Sequence, residues 1–272
     1  MTGPTRRAVL IGAAALALGA CSGTAPTRQD EPVETLRYGD DPAQLLELSR
    51  PAGTSRGVVV VVHGGFWQAQ YDLGLGRPLA ASLAQHGWTA ANLEYRRLGN
   101  GGGWPETFDD VSAGIDALGD VDGLDLSRVV TLGHSAGGHL AVWAAGRQAH
   151  ERWRDARVAV TAAVSQAGVL DLGTALTAHV GGSTVRQLIG ETTPGRLALC
   201  DPIEQVPLAV PVRCVHGTDD DVVPLAQSRT YVEAASAAGG DATLTEVAGD
   251  HFTLIDPASQ AWRRTLDLLD AL

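Results

Sequence analysis

The 272-residue sequence contains no lysine, and all 20 of its basic residues are arginine, against 31 aspartate and glutamate residues. The formal charge at pH 7 is −11. The chain therefore lacks the clustered positive charge that binding to a nucleic-acid backbone requires, and this argues against a nucleic-acid partner. The missing lysine itself indicates a compositional bias and not a site.

Long hydrophobic runs are also lacking. The apolar run at residues 8–20 has 13 residues, too few to span a hydrocarbon core of about 30 Å as a helix. Arg6 and Arg7 precede this run, and small residues end it. The pattern predicts a cleaved export signal over residues 1–20.

The end of this signal resembles the lipobox of bacterial lipoproteins. Leu18-Gly19-Ala20-Cys21 matches it, and the resemblance implies that Cys21 becomes the lipidated first residue. The double arginine resembles a twin-arginine signal, with the ordinary secretory route still open. Residues 21–34 are small, polar and proline-containing, which predicts a flexible tether. We expect a protein anchored by its lipid to the outer face of the cell membrane, or secreted, with no other membrane contact.

Only two further cysteines are present, Cys200 and Cys214. Export would permit a disulfide, and a loop of this length would stabilise the fold by about 3 kcal/mol. The sequence does not fix the distance between the two residues. A bridge and a pair of buried thiols both remain open.

Strand and helix patterns alternate along residues 35–272. Residues 58–62 are five consecutive valines, typical of a strand buried on both faces of a parallel sheet. The alternation predicts a three-layer α/β domain: a mostly parallel, twisted sheet with helices on both faces. Residues 35–38 and 44–48 are candidates for an antiparallel edge, and residues 158–164 for an inner strand. The alternation of strands and helices is interrupted at residues 170–208. This segment predicts a short cap or lid over a fairly open site.

The clearest motif is Gly-His-Ser-Ala-Gly-Gly at residues 133–138, which follows a predicted strand and precedes a predicted helix. This is the context of a nucleophile elbow, in which a tight turn exposes a serine, here Ser135. Small neighbours at Gly133 and Gly137 are needed because the turn is cramped. A dinucleotide-binding turn would require G-x-G-x-x-G, which the motif does not supply.

The segment His63-Gly64-Gly65-Phe66-Trp67 follows the valine strand directly. In a fold with such an elbow, this is where the second donor to a developing oxyanion lies. We expect the N–H groups of Gly65, Phe66 and Ala136 to form the oxyanion hole. His63 is interpreted as a structural residue that holds the loop.

A general base and its acid are expected after the last two strands. A serine hydroxyl needs a neutral imidazole to take its proton, and the imidazole needs a carboxylate to orient it. His251 follows the last strand, and Asp219, Asp220 and Asp221 follow the one before. The spacing D-x-x-V-P favours Asp220, and the order Ser135, Asp220, His251 fits the elbow.

With these motifs the chain resembles an α/β-hydrolase over about residues 57–270. The loop of residues 63–67, in which two glycines are followed by an aromatic residue and a tryptophan, is similar to that of small esterases and kynurenine formamidases. The Gly-His-Ser-Ala-Gly-Gly elbow is similar to theirs as well. Phe66 stands where lipases of the HGGG type have a third glycine. The resemblance implies a serine hydrolase of the carboxylesterase type that cleaves small or medium esters through an acyl-enzyme. An arylformamide hydrolase is the alternative, and a non-catalytic binding protein of the same fold is a third reading.

No H-E-x-x-H pair is present, and the remaining histidines form no ligand pattern. They are His86, His134, His139, His150, His179 and His216. We therefore expect no metal and no cofactor. The expected partners are a small-molecule ester or formamide substrate and, through the lipid at Cys21 alone, the membrane.

Overall fold

The computed structural model describes residues 33–272. The predicted export signal, Cys21 and all but the last two residues of the predicted tether lie outside this range. The sheet has eight strands: β1 Glu34–Arg37, β2 Leu45–Ser49, β3 Val58–Val62, β4 Thr89–Leu93, β5 Val129–His134, β6 Ala162–Gln166, β7 Val212–Gly217 and β8 Ala242–Val247. The α-helices are α1 Arg77–Gln85, α2 Glu106–Ala117, α3 Ala136–Gly146, α4 Leu172–Thr177, α5 Thr184–Ile189, α6 Pro194–Cys200, α7 Ala226–Ala237 and α8 Gln260–Ala271.

The strands are ordered β1-β2-β4-β3-β5-β6-β7-β8 across the sheet. β1 pairs with β2, and β2 with β4, in antiparallel fashion. Every other pair is parallel. The predicted α/β class, with a mostly parallel sheet and an antiparallel edge, is confirmed.

The valine strand β3 lies at the centre and is buried on both faces. Val58, Val60 and Val62 pack into a core with apolar residues of α2 and α3. The alternate residues, Val59 and Val61, pack on the other face against α1 and α8. This is the three-layer arrangement, because successive side chains of a strand point to opposite faces.

The strand boundaries differ from the sequence prediction by one residue in β1 and β2 and by up to four residues in β6. The first strand begins at Glu34, one residue before the expected start of the domain. β6 begins at Ala162, four residues after the predicted start. Val158 is buried, but its backbone pairs with side chains, donating to Asp116 Oδ1 and accepting from Arg147 Nη2. Val158 is therefore buried like a strand residue although its backbone does not pair with a neighbouring strand.

The predicted cap segment, residues 170–208, contains the short helices α4, α5 and α6 between β6 and β7. It is anchored to α3 by two side chains. His139 Nε2 donates to the carbonyl of Cys200 at 2.8 Å, and Trp143 Nε1 donates to that of Leu199 at 2.9 Å. The base of the cap segment is thus fixed to the helix that begins at the elbow.

Asp201 is a buried carboxyl at the base of the cap segment. Its Oδ2 accepts from the N–H groups of Leu172 and Gly173, at 2.9 and 3.1 Å, at the start of α4. Its Oδ1 is buried without a partner. Burial raises the pKa of Asp201 from its ordinary value of 3.8 to about 7, and the nearby Asp171 adds to the rise.

This raised pKa predicts a pH-dependent stability. A carboxyl with a higher pKa in the folded state stabilises the fold at low pH, and that stability is lost as pH rises from about 4 to about 7. Wild-type protein should therefore lose about 1–3 kcal/mol of unfolding free energy between pH 5 and 8 through Asp201. Asp201→Asn, which is neutral throughout, should lack this component in urea unfolding at the two pH values. An equal effect of the substitution at both pH values would contradict the assignment.

Cys200 and Cys214 are both free and buried. Burial raises the pKa of each thiol, which keeps both protonated at neutral pH. Of the two arrangements that the sequence left open, the structure has the buried thiols.

Within residues 33–272, none of the helices is long and apolar enough to cross a membrane. The same part of the chain contains no group of three or more histidine, cysteine, aspartate or glutamate residues arranged to hold a metal ion.

Candidate active site

Ser135 lies in a strained turn between β5 and α3. Its φ of 55° and ψ of −120° are rare for a residue with a side chain. The turn is held in place because the Ser135 N–H donates to the carbonyl of Gln166, at the end of the neighbouring strand β6, at 2.8 Å. The serine thus lies at the carboxyl edge of the sheet, at the N-terminus of α3.

The glycines beside Ser135 are required by close backbone contacts. A Cβ at Gly133 would overlap the carbonyl of Gly137, and a Cβ at Gly137 would overlap the carbonyl of Val62. These neighbours are backbone atoms of the elbow and of the central strand, and they cannot move aside as flexible side chains do. The glycines at these positions therefore let α3 start directly against the sheet.

Gly137→Ala should lower the free energy of unfolding by about 2–4 kcal/mol, because the new methyl group forces the elbow away from β3. Urea unfolding measures the loss. Gly195→Ala is the matched control, since Gly195 lies in α6 with open space around its Cα and alanine favours a helix. Equal stability of the two variants would contradict this account of the elbow.

The loop of residues 63–67 runs against the elbow. A Cβ at Gly64 would lie 2.8 Å from the carbonyl oxygen of His134 and 3.2 Å from Cβ of Ser135. The next three residues all have positive φ: 109° at Gly65, 53° at Phe66 and 55° at Trp67. Such a run of left-handed residues turns successive N–H groups in unusual directions.

Three amide groups, one in the elbow and two in the adjacent loop, are unpaired within residues 33–272. The N–H groups of Gly65, Phe66 and Ala136 donate no hydrogen bond to any atom of residues 33–272. Ala136 is the first residue of α3, so its N–H lies at the positive end of the helix. All three predicted oxyanion donors are therefore free to bind an oxygen atom.

His63 stabilises the loop of residues 63–67 through a buried hydrogen bond to its backbone. It is buried, and burial lowers its pKa to about 3, so the ring is neutral. Arg97 Nη1 donates to His63 Nε2 at 3.1 Å, which leaves Nδ1 to donate to the carbonyl of Gly64 at 2.8 Å. Arg97 in turn pairs with Glu94. The contacts are those of a structural residue.

Asp220 is the one of the three adjacent aspartates that contacts His251. Asp220 Oδ2 accepts from His251 Nδ1 at 2.7 Å, while Oδ1 accepts from the N–H groups of Val222 and Val223. Asp219 and Asp221 are exposed. Burial by itself would raise the pKa of Asp220, but hydrogen bonds from His216, His251 and Val223 outweigh it and hold the pKa well below the usual range. The carboxylate is ionised beside the imidazole.

His251 is also fixed through its backbone. His134 Nε2 donates to the His251 carbonyl at 2.9 Å, and the two rings lie 4.4 Å apart. Burial lowers the pKa of His134 to about 3, and its ring is neutral. The Ser135 hydroxyl makes no hydrogen bond within the described range. The link between a nucleophile and its base is often long in a free enzyme and shortens when substrate binds.

Little of Ser135 and His251 is accessible to solvent. Ser135 is 3% exposed and His251 is 2% exposed. The cap segment also contacts the loop of residues 63–67. The ring of Phe66 lies so close to Gly181 that a Cβ there would be 2.8 Å from Phe66 Cδ1.

Sequence reasoning missed two histidines and one exposed aromatic at this edge. His134 and His216 were placed among the histidines that form no ligand pattern, yet both contact the Asp220–His251 pair. Each of the two is at the end of a parallel strand, β5 or β7, and such ends meet at one edge of the sheet. Their position at the ends of predicted parallel strands could have indicated that both histidines lie near Asp220 and His251. Phe252 is 61% exposed and its ring lies 5.3 Å from that of His251.

The sheet order, the strained Ser135 at the start of α3 and the Asp220–His251 pair have the arrangement of the α/β-hydrolase fold. Solved structures agree with this fold. Esterase B from Lactobacillus rhamnosis, in a structure inhibited by a tributyrin phosphonate, is 22% identical with a TM-score of 0.75, covering 89% of this chain and 86% of that one. Thermogutta terrifontis esterase 2, phosphoramylated by tabun, is 24% identical with a TM-score of 0.72, covering 89% and 94%.

The chain belongs to the BD-FAE family, whose sequence profile matches residues 46–234. It is similar to Esterase LipC of Mycobacterium tuberculosis, with 30% identity over 81% of this chain and 60% of that protein. It is also similar to the isoprenylcysteine alpha-carbonyl methylesterase ICME of Arabidopsis thaliana, with 27% identity over 79% and 55%. The chain thus spans less than two thirds of the length of these curated relatives.

Proposed function

We propose that this protein is a serine hydrolase that cleaves small or medium carboxylic esters through an acyl-enzyme. The observation that carries the proposal is the 2.7 Å hydrogen bond between His251 Nδ1 and Asp220 Oδ2, at the sheet edge where Ser135 lies in its strained turn. A carboxylate in this position fixes the tautomer of the imidazole, with Nε2 as the basic nitrogen. The names of the curated relatives, which are esterases, point the same way.

In the first half-reaction, His251 Nε2 takes the proton of the Ser135 hydroxyl as Oγ attacks the ester carbonyl carbon. The negative charge that develops on the carbonyl oxygen is stabilised by the free N–H groups of Gly65, Phe66 and Ala136. The tetrahedral intermediate then collapses, the bond to the alcohol oxygen breaks, and His251 gives its proton to the leaving alcohol.

In the second half-reaction, water takes the place of the alcohol. His251 removes a proton from the water, whose oxygen attacks the acyl carbon, and the same three amides stabilise the second oxyanion. Collapse breaks the bond to Ser135 Oγ, which regains its proton from His251. The carboxylic acid leaves and the enzyme returns to its starting state. No metal or cofactor takes part in this sequence.

The leaving group separates the two candidate activities. The residue 63–67 loop, with its aromatic-Trp ending, favours an arylformamide hydrolase as the second candidate, because its sequence is similar to that of kynurenine formamidases. The experiment compares kcat/KM for short aryl esters with that for an aryl formamide of the same ring. A higher value for the esters supports the proposal, and a higher value for the formamide supports the alternative. Binding of both without turnover would favour the non-catalytic protein.

We propose in addition that the protein is exported and lipidated at Cys21. The support is the sequence alone: two arginines, a short apolar run and the Leu18-Gly19-Ala20-Cys21 pattern. Growth of a bacterial host with a labelled fatty acid tests this proposal. Label retained in a mature chain that begins at Cys21 supports lipidation, and a mature chain without label supports secretion.

A further inference from the structure

We propose that His216 is a positioning residue of the active site, because its Nε2–H shares the Asp220 oxygen that orients His251. His216 Nε2 lies 3.3 Å from Asp220 Oδ2, the same oxygen that accepts from His251 Nδ1 at 2.7 Å. One carboxylate oxygen is thus placed between two imidazoles. The inference rests on the proposed function, in which Asp220 orients the base.

The contacts of His216 fix which nitrogen carries its proton. Nε2 faces two acceptors, the Val223 carbonyl at 2.9 Å and Asp220 Oδ2 at 3.3 Å, so Nε2 is protonated. Nδ1 lies 2.8 Å from Ser228 Oγ, whose hydroxyl donates to it. The side chain of His216 is fully buried. A buried imidazole with both nitrogens engaged has no freedom to turn away from Asp220.

Asp220 is consequently held on both oxygens. Oδ1 accepts from the N–H groups of Val222 and Val223, and Oδ2 accepts from His251, with His216 Nε2 3.3 Å from the same oxygen. The polar N–H group of His216 beside Oδ2 offsets part of the negative charge that acts on His251 and restricts the direction of the carboxylate. Without that donor, the full charge of Asp220 acts on His251, which makes protonated His251 more stable.

Other charged or titratable groups face His251 and must remain unchanged in the test. In contact are His134 from β5 and Asp220 from the segment after β7; Asp250 directly precedes His251 in its loop, and the N–H of the exposed Asp219 donates to the Gly249 carbonyl of that loop. His134 contacts the carbonyl of His251 and not Asp220. Substitution of His216 therefore changes one contact of the carboxylate and leaves these groups in place.

Two polar substitutions differ in whether they retain the donor. The amide nitrogen of His216→Gln reaches the place of Nε2 and keeps a donor for Asp220. His216→Asn reaches only the place of Nδ1 and loses it. Tyr231→Phe is the matched control, since the Tyr231 hydroxyl is buried without a partner and Tyr231 packs in the same core cluster as Cys214 of β7. Thermal melting establishes that each variant is folded.

The pH profile of kcat/KM for a short aryl ester is the first readout. His216→Asn should lower kcat about 10-fold and move the midpoint of the acid limb up by about half a pH unit or more. His216→Gln should return both toward wild type, and Tyr231→Phe should change neither. An unchanged midpoint in a folded His216→Asn variant would overturn the inference, as would a glutamine variant no better than the asparagine one.

The second readout needs no substrate. The proton of His251 Nδ1, bonded to Asp220, gives a low-field proton NMR signal that identifies the pair. Loss of the competing donor in His216→Asn should shorten this bond and move the signal further downfield, whereas an unchanged position overturns the inference. An inactive wild-type protein would count against the proposed ester hydrolysis, and the NMR result would still decide the role of His216.

Discussion

Ser135→Ala is expected to lower kcat for ester hydrolysis by about four to six orders of magnitude while the protein stays folded. Without Oγ no acyl-enzyme forms, and only binding and oxyanion stabilisation remain. The hydroxyl makes no hydrogen bond within residues 33–272, so its removal should cost little stability. Steady-state kinetics and thermal melting measure the two quantities.

Ser165→Ala is the matched control for this experiment. Ser165 lies in the neighbouring strand β6, and its Oγ is buried without a partner. Its substitution should leave kcat near the wild-type value and stability equal or higher, because a buried unpaired hydroxyl is unfavourable. Near-normal turnover in Ser135→Ala would end the assignment of the nucleophile.

Asp220→Asn is expected to lower kcat by about three to four orders of magnitude. The asparagine carbonyl would take the place of Oδ1, which accepts from the N–H groups of Val222 and Val223. Its NH₂ group would then face His251 Nδ1, two donors would meet, and the imidazole would be driven to the wrong tautomer. The measurement is kcat at a pH above the acid limb.

The neighbouring aspartate provides the comparison. Asp221 is exposed, and Asp221→Asn removes the same charge one residue away. It should leave kcat within about twofold of wild type, since exposed charges are screened by solvent. A larger loss in Asp221→Asn than in Asp220→Asn would show that the wrong carboxylate had been identified.

Much of the fold was predictable because a central strand such as β3 is a continuous run of apolar residues. Five consecutive valines in β3 are explained only by burial on both faces, and the structure divides them between two cores. β6 was harder, since Val158 is buried outside the ladder, where Arg147 and Asp116 satisfy its backbone. A run of apolar residues indicates burial, but it does not indicate whether the backbone N–H and C=O groups pair with another strand or with side chains.

The residues of the candidate site were predictable where backbone geometry restricts the sequence. Glycines at 133 and 137 signal a cramped turn, and the spacing to Val223-Pro224 selected Asp220 among three aspartates. The contacts of His134 and His216 were not predictable from spacing, because their partners lie far along the chain or depend on a loop conformation. The contact between Phe66 and Gly181 of the cap segment was not predictable either, because it joins residues far apart in the sequence.

The central claim is that Ser135 is an activated nucleophile, and labelling with a fluorophosphonate tests it most directly. The purified protein is incubated with the probe, and the modified peptide is located by mass spectrometry. The account predicts one adduct on Ser135 in the wild type and a large loss of labelling in His251→Ala. A folded wild-type protein that remains unlabelled, or that is labelled at another residue, would contradict it.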